Sequence, residues 1–259
     1  MTAEGRTRSP LDRVFLTGAS SGIGRGLALA LARPGRTFGL VARRAAQLEE
    51  LARELEARGC RPLVLPADVR DTGLMVDLAG TFLDEVGGID LVIANAGVGE
   101  GRRSAPIDPH RIAEVLAVNG IGVANSVFPF VAPMQAQGSG TLVAVGSVAG
   151  FRALPGSISY SASKACVATL MEGLRMELHG TGVHAMTLCP GFIRTPLTDK
   201  NEFSMPFLMD CDRACRAMVA AIERRKDTYV LPWQMRVAST LLRHGPEWLV
   251  RRAAARRGA

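Results

Sequence analysis

At 259 residues, with 47% apolar and 21% charged side chains, the chain has the material for a substantial buried core and neither the charge nor the low hydropathy of a disordered protein. The formal net charge of +7 sits at the ends: residues 234–259 hold six Arg against one acid and residues 1–13 three Arg against two acids, while 22 Lys/Arg face 21 Asp/Glu in between. A basic excess in the tails, without aromatic interleaving, argues against nucleic-acid binding, and five scattered cysteines (Cys60, Cys166, Cys189, Cys211, Cys215) without zinc-ligand spacing read as reduced packing residues.

In chain order, short apolar runs alternate with longer segments of helical period. RVFLTG at 13–18 leads into a helix through Leu31, TFGLVA at 37–42 into AAQLEELARELEARG, and RPLVLPAD at 61–68 into a helix over 72–86. GIDLVIANAG at 88–97 leads into one long helix around 109–136, followed by GTLVAVGS at 140–147, a helix over 158–178, VHAMTLCPG at 183–191 and DTYVLP at 227–232. The short runs are apolar throughout, the pattern of parallel strands covered by helices on both faces. This alternation predicts a single α/β domain over 13–233: a Rossmann-type, doubly wound, mainly parallel sheet with its site at the carboxyl ends of the strands. Residues 1–12 form an N-terminal extension and 234–259 a basic amphipathic tail. No signal-peptide core is visible, and no run approaches the ~20 apolar residues of a membrane span, so a soluble cytoplasmic protein is expected.

The first strand runs into TGASSGIG, where Gly18, Gly22 and Gly24 permit a tight turn and let backbone amides at a helix N-terminus approach a pyrophosphate. A second feature lies in the helix over 158–178. Tyr160 and Lys164 stand four residues apart, one turn, so a phenol and an ammonium share a face. A free phenol titrates near ~10, and a cation beside it is expected to favour the phenolate and lower that value. Ser147, at the end of its strand, is placed to hydrogen-bond the same reacting oxygen.

The pieces TGASSGIG (17–24), ADV (67–69), NAG (95–97), Asn119 in AVNG, Ser147 in VGSVAG, YSASK (160–164) and PGFIRT (190–195) resemble, in order and spacing, the short-chain dehydrogenase/reductase family of the Tyr-x-x-x-Lys type. The resemblance covers residues 13 to about 196. It implies a nicotinamide-dependent oxidoreductase acting on CH–OH groups, with the catalytic tetrad Asn119, Ser147, Tyr160 and Lys164. It further implies that Lys164 bonds the nicotinamide ribose and that Asn119 supports a proton-replenishing water chain. Gly18, Ser20, Ser21, Gly22, Ile23 and Gly24 would form the pyrophosphate turn. Asp68 and Val69 would meet the adenine, Asn95, Ala96 and Gly97 the wall behind the cofactor, and Pro190, Gly191, Ile193 and Thr195 the carboxamide.

Cofactor preference is read at the end of the second strand. Ala42 stands where NAD-preferring relatives carry an acid, and Arg43 and Arg44 follow, a pair suited to a 2′-phosphate; NADP (NADPH) is therefore expected. The segment 196–212 is expected to form a lid whose Phe203, Met205, Pro206, Phe207, Leu208 and Met209 suit a lipophilic small molecule, although the same cluster would serve equally as core packing. For the tail, docking on the protein's own surface or a partner subunit of a homo-oligomer, dimer or tetramer, is preferred. Peripheral contact with an anionic membrane is the alternative. A non-catalytic NADP-binding sensor or assembly module on the same fold is the runner-up, disfavoured because Tyr160 and Lys164 are both present.

Overall fold

The computed structural model describes residues 11–99, 107–153, 156–199, 201 and 204–246. Seven strands, β1 (Arg13–Thr17), β2 (Thr37–Ala42), β3 (Arg61–Pro66), β4 (Leu91–Ala94), β5 (Gly140–Val145), β6 (Val183–Pro190) and β7 (Thr228–Leu231), form one sheet in the order β3-β2-β1-β4-β5-β6-β7. Every described pairing is parallel. The connections carry α1 (Gly22–Leu31), α2 (Ala45–Glu56), α3 (Thr72–Val86), α4 (Pro109–Leu116), α5 (Gly122–Val127), α6 (Val131–Gln137), α7 (Ile158–Glu177) and α8 (Cys211–Glu223), and α9 (Trp233–His244) follows the last strand. The order reverses direction between β1 and β4, the point at which a crevice opens above the strand ends.

Local chemistry explains these elements. All six residues of β2 are buried. On α2, Leu48, Leu51, Ala52 and Leu55 recur at helical spacing and turn inward. The Asp71 carboxylate accepts from the Leu74 N–H to start α3, which Gly87 ends in the left-handed conformation. The sheet separates two cores. One joins α1, α2 and α8 to one face; the other packs α3, α5 and α7 on the opposite face, where the Phe15 ring meets those of Phe82 and Phe130 at centroid distances of 5.6 and 4.7 Å.

Three expectations need correction. β3 is an edge strand with only one neighbour, and its residues are exposed or half-buried, so a continuous apolar run did not there signify burial on both faces. The long helix around 109–136 is interrupted: a π-helical turn at Ala117–Ile121 separates α4 from α5, and a 3-10 turn at Phe128–Phe130, containing Pro129, separates α5 from α6. Proline lacks the N–H an α-helix needs there. Taken together, Pro109–Gln137 is also long and apolar enough, by length and composition alone, to cross a membrane, contrary to the sequence expectation, and half of its most apolar 18-residue window is buried inside the fold.

Candidate active site

The turn after β1 builds one wall of the crevice. Gly18 and Gly22 adopt φ of 68° and 54°. A Cβ on Gly18 would stand 2.7 Å from Ala96 Cα, and one on Gly24 2.2 Å from the Gly18 carbonyl oxygen, so both positions require glycine. Asn95, just past β4, ties the turn down by donating from Nδ2 to the carbonyls of Thr17 and Gly18, each at 3.2 Å. Thr17 Oγ1 in turn accepts from the Asn95 N–H at 3.2 Å and is hydrogen-bonded by Ser126 at 3.3 Å.

The far end of that wall is cationic. The Arg44 guanidinium donates from Nη2 to the hydroxyls of Ser20 and Ser21 at 2.8 and 2.7 Å, which holds it over the start of α1. Arg43 is mostly exposed and lies 3.8 Å from the Asp68 carboxylate. Asp68 is engaged chiefly by Arg70, through Oδ1 at 3.0 Å and Oδ2 at 2.6 Å, and that bonding holds its carboxyl below the usual range. The expected two-arginine fork is thus divided between different partners.

The opposite wall carries the reactive groups. Ser147 follows β5, accepts from the Ala149 N–H at 3.1 Å and hydrogen-bonds the Tyr160 phenol. Lys164 is buried; its Nζ donates to the Val145 carbonyl at 2.8 Å and lies 5.7 Å from the centroid of the Tyr160 ring. The i,i+4 spacing therefore brings the two side chains together on α7. Its electrostatic consequence differs from the expectation. Burial raises the Tyr160 phenol above its ordinary value, and the opposing influence is the Ser147 hydrogen bond rather than Lys164. Burial also lowers Lys164 to about 8. Loss of hydration penalises both charged forms, so the ligand-free site holds a protonated phenol.

Asn119 sits in the π-helical turn, fully buried. Its Oδ1 accepts from the Val98 N–H at 2.8 Å, and its Nδ2 donates to the Val98 carbonyl at 3.0 Å and to Ser163 Oγ at 3.1 Å. Ser163 donates onward to the Tyr160 carbonyl at 2.7 Å. The side chain thereby joins the loop after β4 to the helix bearing Tyr160. A helical interruption of this kind re-aims backbone and side chain at functional positions. Gly97 lies against it, since a Cβ there would be 3.3 Å from Asn119 Oδ1.

Between the walls lies a cleft of about 350 Å³. The structure brings Gly18, Ser20, Ser21, Gly22, Ile23, Arg43, Arg44, Asp68, Val69, Asn95, Ala96, Gly97, Ser147, Tyr160, Lys164, Pro190, Gly191, Ile193 and Thr195 to its lining; Gly24 lies beneath the turn and Asn119 behind Gly97. Thr17, Ser126 and Ser163, which the sequence reading did not single out, hold the lining in place. Their signal is a buried hydroxyl, visible only once the partners are known. Thr198 was likewise missed: it accepts from the Thr195 N–H at 2.9 Å and donates to the Ile193 carbonyl at 2.6 Å, closing the turn after β6. The cradle fits an extended dinucleotide, because the glycines leave room where side chains would block it and a helix N-terminus faces the opening.

Beyond Thr195 the described lining of the cleft continues with Pro196, Leu197 and Thr198. The expected lid side chains do not join it: Phe207 and Leu208 are 51% and 36% exposed, Met205, Pro206 and Met209 are half-buried, and Phe203 lies outside the described residues. The first part of the tail folds as α9. Met235 packs so closely on Gly191 that a Cβ there would approach its Cγ to 2.7 Å, and Arg152 Nη1 donates to the carbonyls of Arg243 and Gly245, each at 3.4 Å. Residues 1–10 and 247–259, including Trp248 and Leu249, lie outside the described residues. Among the described residues no group of three or more His, Cys, Asp or Glu is placed to hold a metal.

The family model described as short chain dehydrogenase matches residues 12–204. An uncharacterised oxidoreductase of Myxococcus xanthus is 39% identical, the match covering 93% of this chain and 96% of the relative. Among solved structures, a short-chain dehydrogenase/reductase of Burkholderia phymatum in complex with NAD superposes with a TM-score of 0.82 at 26% identity, over 90% of this chain and 94% of the other. A short-chain dehydrogenase of Sphingobium yanoikuyae in complex with NADPH gives 0.78 at 29% identity, over 86% and 88%. A sheet, a glycine turn and a Tyr-Lys helix arranged in this way, with these relatives, lead to one conclusion: the chain belongs to the short-chain dehydrogenase/reductase family of oxidoreductases.

Proposed function

We propose that the protein interconverts a carbonyl and an alcohol on an apolar small molecule with NADP(H), Tyr160 serving as acid and base. The observation that carries the reading is the convergence of Ser147, Tyr160 and Lys164 on one wall of a cleft whose other wall is the glycine turn.

When bound, the nicotinamide supplies or accepts the hydride. The chain's own residues manage the proton and the charge. In the reductive direction negative charge grows on the carbonyl oxygen, and a protonated phenol hydrogen-bonded to Ser147 stands ready to donate to it. The Ser147 hydroxyl, fixed by the Ala149 N–H, holds that oxygen against the phenol. Lys164, anchored on Val145, keeps a cation one helical turn from the phenol as proton transfer leaves phenolate behind. Asn119 and Ser163 fix the distance between α7 and the wall after β4.

The preference for NADP rests on this chain's own residues, since its structural relatives hold NAD in one case and NADPH in another. Arg44 is pinned beside the glycine turn, at the end of a strand that closes on Ala42 rather than on an acid. A guanidinium there meets a 2′-phosphate with paired donors. The exposed Leu197, which lines the cleft beside Pro196, favours an apolar substrate. The test is NADPH and NADH oxidation against a panel of aldehydes and ketones: the reading requires turnover with at least one carbonyl and a higher kcat/KM for NADPH.

A further inference from the structure

Where α8 packs against α1, two cysteine sulfurs lie near contact. Cys211 is the first residue of α8 and Cys215 follows one turn later, with the two Sγ atoms 3.9 Å apart. Cys215 is fully buried and donates from Sγ to the Ile23 carbonyl at 3.6 Å; Cys211 is half-buried. Both sulfurs press on Gly26 of α1, where a Cβ would come within 2.6 Å of Cys215 Sγ and 3.2 Å of Cys211 Sγ. Ile23 belongs to the first turn of α1 and lines the cleft. The pair is thus wired to the glycine turn through one hydrogen bond and one glycine contact.

We propose that Cys211 and Cys215 are a redox-active dithiol that closes to an intramolecular disulfide and, in closing, frees the first turn of α1. Two Cα atoms four residues apart on a helix are roughly 6 Å apart, within the span a disulfide bridges, but their Cβ atoms stand about 5–6 Å apart against the roughly 4 Å a disulfide needs, so closure requires the first turn of α8, which begins at Cys211, to unwind. The accessible thiol is also the more acidic. The Cys215 S–H has one proton to give, and turning it from the Ile23 carbonyl to a Cys211 thiolate lowers Cys211 and raises Cys215; Cys211 also lies in the first turn of its helix, where a thiolate is favoured.

The chemistry balances with a small disulfide such as oxidised glutathione as oxidant. The Cys211 thiolate attacks one sulfur of the oxidant, forming a mixed disulfide and expelling one small thiolate. Cys215 then loses its proton to solvent and attacks Cys211 Sγ, expelling the second. Two protein thiols become one disulfide, and the oxidant is reduced to two small thiols. Once Cys215 is bridged it has no S–H to give the Ile23 carbonyl, and the sulfurs must draw in from 3.9 Å to bonding distance. The link to nucleotide binding rests on the reading of the cleft given above, whereas the opening of α1 is measured on the protein alone.

The experiment incubates the whole chain with oxidised glutathione, maps disulfides by mass spectrometry and follows amide hydrogen exchange over residues 21–26. The expected result is a Cys211–Cys215 bridge, with mass lower by about 2 Da, exchange over 21–26 faster by about threefold, and reversal by dithiothreitol. Cys215→Ser should arrest the reaction as a glutathione adduct on Cys211, and Cys211→Ser should leave Cys215 unreacted. A protein in which the exposed Cys166 takes up glutathione while Cys211 and Cys215 remain free thiols would overturn the dithiol. A bridge that forms without change in exchange would overturn its coupling to α1. Loss of NADPH turnover in the variants before oxidation would bear on the cleft and leave the mapping result intact.

Discussion

The turn after β1 and the stretch 196–198 border the same cleft, and a side chain added to or removed from each meets different things. At Gly24 a single methyl would enter the space of a backbone carbonyl 2.2 Å away, whereas Leu197 stands 46% exposed. The first region is over-determined: glycine conformations, the Asn95 ties and the Arg44–serine bonds each hold it separately. The second is held at its base by Thr198 and the bridge between Ile193 and Met209. A fold of this kind fixes where the cofactor lies and leaves the substrate side free to vary.

That contrast is broken most strongly at the reactive wall. Tyr160→Phe removes the proton donor while keeping the ring, and should lower kcat by at least ~100-fold, with NADPH affinity by fluorescence within about twofold. Lys164→Met should cost turnover similarly yet raise stability at neutral pH. Lys164 has a folded value of about 8 against an ordinary 10.5. Below pH 8 both folded and unfolded chains hold the proton, and the folded one bears a buried ammonium. Between 8 and 10.5 the folded chain releases the proton first, so wild-type stability rises with pH across that window. The Tm of the cofactor-free variant minus that of wild type should therefore be largest below pH 8 and shrink as pH rises to 10.5; a flat difference would count against a buried, strained ammonium.

On the nucleotide wall, Gly24→Ala should weaken NADPH binding by about thirtyfold and lower stability by about 1–3 kcal/mol, the range for forcing atoms into a packed site. Arg44→Ala should raise the Kd for NADPH about tenfold and leave NADH within twofold, as loss of one charge-assisted phosphate contact requires. Arg43→Ala, starting from an exposed side chain that faces Asp68, should have the smaller effect of the two. Equal weakening of both nucleotides in Arg44→Ala would mean that it supports the turn and does not read the phosphate. At the open end, Leu197→Ala should leave nucleotide affinity and Tm unchanged and alter KM for a bulky apolar carbonyl by about threefold.

The same contrast governs what the sequence discloses. β2 and α3 lie where the apolar run and the helical period predict them, because burial is a local demand. Gly18, Gly22 and Gly24 were legible because backbone conformation and close approach leave little chemical choice. The π-helical turn at Asn119 was not, since its residues keep helical periodicity and the interruption depends on Val98 and Ser163 from elsewhere in the chain. Thr17 and Ser126, 109 residues apart, form a bond that no local pattern announces. The phenol's direction of shift was misjudged for a related reason: spacing gives the neighbour's charge, while burial, which outweighs it, belongs to the tertiary structure. Arg43 and Arg44 were indistinguishable as a pair until Ser20 and Ser21 claimed one of them.

The central claim is that a hydride passes between a nicotinamide and a carbonyl carbon while Tyr160 supplies the proton. Single-turnover reaction of the wild-type protein with NADPH carrying deuterium at the transferable C4 position, followed by mass analysis of the product, tests it directly. The account predicts an alcohol labelled on its carbinol carbon, formed at least ~100-fold more slowly by Tyr160→Phe at saturating NADPH. A product without deuterium, or equal rates in the two proteins, would contradict it.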